Sequence, residues 1–183
     1  MQRQEALELV KLNVNNKNLI NHMLACEAVM KGLARHFSED EEKWGLAGLL
    51  HDIDYNLTMT DPFEHGLLGA KMLKEKDVDS EIIHAIEAHN EMTGVERKNQ
   101  LDKALYCTDP LTGLIVAGAL IKKEKGLNAI DLDFLKRRFD EKGFAKGASR
   151  IQIAACREIN LSLDEFITIG LKSMQEIHQD LGL

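Results

Sequence analysis

Apolar residues recur at intervals of three and four along almost the whole chain, as in Leu19, Met23, Cys26, Met30 and Leu33, while strict alternation over a strand length is scarce. The pattern predicts an all-helical fold. Residues that open helices agree with it: Ser38 with Glu41, Asp61-Pro62 with Glu64, and Ser162 with Glu165 each set a capping oxygen three residues before an acid that can reach back. Asp109-Pro110 reads as one more start, a cap followed by a proline whose missing N–H costs nothing in a first turn. The helices are expected at about 3–13, 17–36, 39–51, 62–76, 79–89, 100–107, 110–122, 131–139, 145–158 and 163–180. Connections are short, and only 123–130, with Lys123-Glu124-Lys125-Gly126-Leu127-Asn128, reads as a hinge. It divides a helical core at 1–122 from a C-terminal helical appendix at 123–183, packed on that core as one structural unit.

Composition narrows the partners. With 183 residues, 44% hydrophobic and 29% charged, one buried core suffices. A net charge of -7 opposes a grip on a phosphate backbone, and the one Trp, two Tyr and six Phe offer little stacking surface, so a nucleic-acid polymer is not the expected partner. Cys26, Cys107 and Cys156 are odd in number, far apart and without a C-x-x-C pair, which suits reduced thiols packed in the core of a cytoplasmic protein. Arg3, Glu5, Glu8 and Lys11 make the first residues a helix, not a charged-then-apolar targeting segment. The longest apolar run, Gly113 to Ile121, is far shorter than the ~20 residues that span a bilayer, so no membrane is expected.

The chemistry gathers around His51-Asp52, which closes the apolar stretch from Trp44 to Leu50. A core helix that ends in two ionisable groups has buried them at a cost or holds a metal with them. His22, His65, His89 and Asp109 fall at or near other helix ends, and helix ends of a bundle converge, so ligands distant in sequence can surround one point. Each has a plainer use when taken alone. His22 suits a satisfied core histidine, Asp109 an N-cap, and Asp61 with His65 a surface pair four residues apart. His36, His84 and His178 read as surface or structural.

Taken together and in order, His22 in Asn-Leu-Ile-Asn-His, the doublet in Leu-Leu-His-Asp-Ile-Asp-Tyr, His65, His89 in Ala-His-Asn-Glu, and Asp109 in Tyr-Cys-Thr-Asp-Pro-Leu resemble the HD superfamily of metal-dependent phosphohydrolases over about residues 17–122. The stretches around the doublet, around His89 and at Asp109-Pro-Leu-Thr-Gly-Leu-Ile are similar to a bacterial group of HD hydrolases with the His-Asp-Ile-Asp-Tyr motif. The resemblance implies one metal site of His22, His51, Asp52 and Asp109, and a second of His65 and His89 with Asp52 bridging. Such ions lower the pKa of bound water from 15.7 toward ~7, giving hydroxide at neutral pH, and neutralise phosphate oxygens. Mixed His and Asp ligation favours Mn, Fe, Co, Ni or Zn over Mg or Ca.

Two departures limit what is carried over. Relatives often have Gly two positions after the doublet's aspartate and Lys or Glu next, where this chain has Asp54 and Tyr55. The His-His-Glu and Gly-Tyr-Pro extension of cyclic-dinucleotide phosphodiesterases is absent. Asp54 and Glu91 then stand with Asp52 as catalytic candidates, the first two as proton carriers, and Tyr55, Lys71, Arg97 and Arg150 as substrate or phosphate partners. The expected activity is hydrolysis of a small phosphorylated molecule, such as a nucleotide. The alternatives are an HD-fold sensor or adaptor that binds without turnover, suggested by the uncharged Tyr55, and a di-iron oxygenase of HD-like fold.

Overall fold

A computed structural model describes residues 1–123 and 126–183 and, among these, holds helices and turns without a strand. The elements are α1 (Arg3–Asn13), α2 (Lys17–Phe37), α3 (Glu41–Leu50), the short α4 (Tyr55–Thr58), α5 (Leu67–Lys74), α6 (Ser80–Ala88), α7 (Gln100–Leu120), α8 (Leu132–Asp140), α9 (Arg150–Ala154), α10 (Leu163–Glu176) and α11 (His178–Leu181). The all-helical expectation holds. No helix among the described residues is long and apolar enough to cross a membrane.

Side-chain caps set most starts. Asn16, Asp79 and Asp131 accept from the first-turn N–H groups of α2, α6 and α8, and Ser162 with Glu165 forms the expected capping box on α10. Three starts differ from the sequence reading. Asp40, not Ser38, caps α3 by accepting from Glu42 and Lys43, while Ser38 ends α2 at φ 59. The helix expected from residue 62 begins at Leu67, because Gly66 turns at φ 91 and its N–H, with that of Gly69, is drawn to the Asp54 carboxylate. Asp109 opens no helix: α7 runs unbroken from Gln100 to Leu120 with Pro110 inside it. Pro110 cannot donate to the carbonyl of Tyr106, and burial of Leu105, Leu111 and Leu114 around it outweighs that loss.

α2 lies at the centre, packed on α3, α7 and α10, with α6 against α7 and α5 against α6. Arg3 forks onto the buried Glu27, which also pairs with Lys31 at 3.0 Å, and so ties α1 to α2. Backbone meets backbone most closely at Gly48, where a Cβ would stand 2.7 Å from the carbonyl carbon and oxygen of Cys26. The end of α3 therefore lies directly on the turn of α2 that follows His22. Of the expected hinge, Glu124 and Lys125 lie outside the described residues, while Leu127 beyond them is fully buried in the same core cluster as α7.

The expected helix at 145–158 is shorter, with turns up to Ser149, then α9 and a 3-10 turn at Ala155–Ile159. Arg150 explains the irregular approach. Its guanidinium donates to the carbonyls of Arg138, Phe139, Phe144, Ala145 and Ala148 at 2.6–3.1 Å, satisfying a turn that has few backbone partners of its own. Charge-assisted bonds of this kind leave orphaned carbonyls when removed, so Arg150→Ala is expected to lower stability by about 2 kcal/mol. Thermal unfolding measures it, and bound metal per chain should stay at the wild-type value.

Candidate metal centre

His51 and Asp52 follow the last turn of α3, His65 ends the loop before α5, His89 follows α6, His22 projects from α2, and Asp109 from the middle of α7. Their polar atoms meet. His22 Nε2 lies 3.2 Å from His51 Nε2, 3.1 Å from Asp109 Oδ1 and 3.6 Å from Asp52 Oδ2. On the other side, His65 Nε2 lies 3.2 Å from both His89 Nε2 and Asp52 Oδ1. Asp52 Oδ1 is also 3.4 Å from His51 Nε2, which puts this carboxylate between the two groups.

The outer nitrogens fix the direction of the inner ones. His51 Nδ1 donates to the Gly48 carbonyl at 2.8 Å, His89 Nδ1 to the Ile86 carbonyl at 2.6 Å, and His65 Nδ1 to Asp54 Oδ1 at 3.0 Å. The Thr112 hydroxyl donates to the Asp109 carbonyl and so accepts from His22 Nδ1 at 2.9 Å. With every Nδ1–H spent on an oxygen, four imidazoles turn their Nε2 atoms toward one another and toward two carboxylates, and each can present a lone pair there when its Nε2 gives up its proton. Deprotonated there, they form an arrangement of acceptors with no donor, and a cation satisfies it. Ligand bonds of about 2.0–2.2 Å leave neighbouring donor atoms about 3.0–3.5 Å apart, close to the separations above. The residues therefore fit divalent ions of the kind that mixed imidazole and carboxylate shells prefer.

Electrostatics show a demand for positive charge at the cluster, which a proton on His65 meets and a cation would meet in its place. Burial, helped by the neighbouring His22 and His89, outweighs the pull of Asp52 and lowers the His51 pKa to about 4. Burial also opposes charge on His65, but Asp52 and Asp54 on its two nitrogens outweigh it and raise the pKa to about 10. Burial pushes Asp52 upward, and the surrounding imidazoles, His51 first, hold it well below the usual carboxylate range.

The remaining residues named from sequence are placed differently. Asp54 is fully buried and accepts from His65 Nδ1, Gly66 N–H and Gly69 N–H, so its oxygens orient His65 and do not face outward. Asp54→Asn is accordingly expected to cut metal affinity by about ten- to a hundredfold, as loss of a partner behind a ligand does, measurable by competition with a chelating dye. Tyr55 is half-exposed with its ring edge-on to His65 at 5.4 Å. Glu91, two residues past His89, accepts from the Tyr106 hydroxyl, and Arg97 stacks on the Tyr106 ring at 3.7 Å. Lys71 is exposed on α5. Arg150 is engaged with five carbonyls in the C-terminal region and has no contact with the cluster.

Sequence reasoning missed four contributors. Cys26 places its sulfur 3.8 Å from His22 Nε2, and its position one helical turn after His22 was the available signal. Thr112, three residues after Asp109, was equally near in sequence. Asn90 donates to the carbonyls of Pro62 and His65 and holds the His65 loop, and Gly48 supplies the acceptor for His51. Nothing local marks these last two.

The HD domain model matches residues 19–131, more than half of the chain, and the chain belongs to the HD domain family of metal-dependent phosphohydrolases. HD domains bind divalent metals. The chain is 30% identical over 150 residues to ribonuclease Y of Oleidesulfovibrio alaskensis, a match covering 80% of this chain and 27% of that protein. Ribonuclease Y of Lawsonia intracellularis is 28% identical over 149 residues, covering 81% of this chain and 28% of the relative. The chain thus spans little more than a quarter of these relatives. An uncharacterized protein of Methanocaldococcus jannaschii is 29% identical over 153 residues, covering 78% of this chain and 86% of its own length. No solved structure matches the chain to a significant degree.

Proposed function

We propose that the chain hydrolyses a small phosphorylated molecule with divalent ions held by His22, His51, Asp52 and Asp109 on one side and by Asp52, His65 and His89 on the other. The observation that carries this reading is the common inward direction of four Nε2 atoms, each fixed by an oxygen behind its Nδ1. When bound, Mn, Fe, Co, Ni or Zn ions supply Lewis acidity toward phosphate oxygens and an acidified water at neutral pH. The protein's own groups supply orientation. Asp109 is 34% and His22 22% exposed, so the approach to the cluster lies on their side, while His51 and His89 close its floor. Tyr55, at the rim beside His65, offers a hydroxyl donor without charge.

A second reading, cleavage of phosphodiesters in RNA, is favoured by the ribonuclease Y relatives and opposed by the net charge of -7. Metal-analysed protein assayed with phosphomonoesters, phosphodiesters and a short RNA in Mn, Co or Ni separates the two. Turnover of a monoester is the expected result, and preferential cleavage of the RNA would replace it with the second reading. Ligand binding without turnover would make the chain a sensor or adaptor, and oxygen uptake by the iron-loaded protein an oxygenase.

A further inference from the structure

Each imidazole of the cluster is aimed by an oxygen behind its Nδ1, and the four oxygens are not alike. Those behind His51 and His89 are the carbonyls of Gly48 and Ile86, one turn back on the helix that each histidine follows. The oxygen behind His65 belongs to Asp54, a fully buried carboxylate pinned by the Gly66 and Gly69 N–H groups. His22 leans on a hydroxyl carried by a different helix. Thr112 on α7 is fully buried, and its Oγ1 lies 2.9 Å from His22 Nδ1 and 2.9 Å from the Asp109 carbonyl oxygen. A hydroxyl has one proton, which Thr112 spends on Asp109, so its oxygen is left to accept from the imidazole. The same hydroxyl is thereby tied to the residue whose carboxylate stands 3.1 Å from His22 Nε2. The other acceptor near His22 Nδ1 among the described residues is the Cys26 sulfur at 3.9 Å, which is a weak one.

We infer that Thr112 is the positioning residue of the ion at His22 and Asp109, acting through His22 and leaving the ion at His65 and His89 untouched; this rests on the two-group reading proposed above. Two helices meet at that ion, α2 with His22 and α7 with Asp109, and among the described residues the His22 ring bonds no backbone carbonyl. Without the hydroxyl, the ring is free to turn about its side-chain bonds. Being 22% exposed, it gains more by giving its Nδ1–H to water than to the Cys26 sulfur, and that turn takes Nε2 away from the cluster. His51, His65 and His89 keep their oxygens, so the effect is confined to one of the two groups.

Zn binding, followed by competition with a chelating dye, tests this without turnover. Thr112→Val exchanges the hydroxyl for a methyl of similar size, and it should weaken one of the two Zn affinities by about ten- to a hundredfold while the other keeps its wild-type value. Thr112→Ser retains the hydroxyl and should restore the lost affinity. In a His22→Ala background Thr112→Val should have no further effect, because residues that act through one contact are not additive. A side chain that only filled space would behave otherwise. Both affinities would fall together, the effect would persist without His22, and serine, the smaller residue, would fail to rescue. Any of these outcomes, or an unchanged affinity in Thr112→Val, overturns the assignment. Should valine prevent folding, Thr112→Ala removes the hydroxyl without adding bulk and is measured in the same way. One Zn per wild-type chain would remove the two-group reading by itself. A loss in Thr112→Val that serine restores would then keep the role of Thr112 for that single ion, and no loss would overturn it.

Discussion

Asp52→Ala is expected to abolish bound metal and to reduce hydrolysis by about a thousandfold or more, equivalent to about 4 kcal/mol of transition-state stabilisation. Its carboxylate is the group within 3.8 Å of all four histidines, through Oδ2 to His22 and through Oδ1 to His51, His65 and His89. Removing it leaves imidazoles that face one another with Asp109 as the remaining carboxylate, and the charge that offsets two divalent ions is halved. The second group loses its only carboxylate oxygen, so it should empty first. Elemental analysis of the purified variant gives the direct answer, and full metal content would contradict the assignment. Thermal unfolding gives an independent one. At a metal concentration 100 times Kd, wild type gains about 2.7 kcal/mol of stability from binding, a gain that Asp52→Ala should lack. Comparing the two proteins without added metal separates loss of the site from loss of the fold.

Periodicity made the helices legible because a 3.6-residue pattern is imposed by burial along each element, and α2, α6 and α10 start within a residue or two of their expected positions. The six candidate ligand positions were named for a different reason, the resemblance of their order and contexts to the HD superfamily, and the structure brings their polar atoms together. What failed were local signals with two meanings. Asp109-Pro110 has the chemistry of a cap, but a cap and an interior proline differ only in what packs on the following turns, which is a tertiary fact. Asp54 next to a ligand suggests a proton carrier, yet the Gly66 turn that brings two N–H groups to it is formed twelve residues later. Arg150 was named for its charge, and its fate is set by five carbonyls in irregular turns that no pattern announces.

Gly48→Ala tests the contact on which the convergence of α2 and α3 depends. The added carbon would lie 2.7 Å from the Cys26 carbonyl and 2.8 Å from the Glu27 nitrogen, both backbone atoms inside a helix, so no side-chain rotation relieves the overlap. α3 must move away from α2 by a substantial fraction of an ångström, and overpacking of this kind costs about 3 kcal/mol, or about 6–12 °C in melting temperature for a chain of this size. The effect on the site follows from geometry. His51 comes three residues after Gly48 and donates to its carbonyl, while His22 stands one turn before Cys26, so the displaced pair of backbones carries the two Nε2 atoms now 3.2 Å apart. A metal site tolerates misplacement of about 0.5 Å, which predicts at least a tenfold loss of metal affinity along with the lost stability. The same substitution at Gly113, on the open face of α7, should instead be neutral or stabilising by up to about 1 kcal/mol, because alanine is the better helix former and meets nothing there. Equal melting temperatures and equal metal content for Gly48→Ala and wild type would show that the α2–α3 contact does not set the distance between His22 and His51.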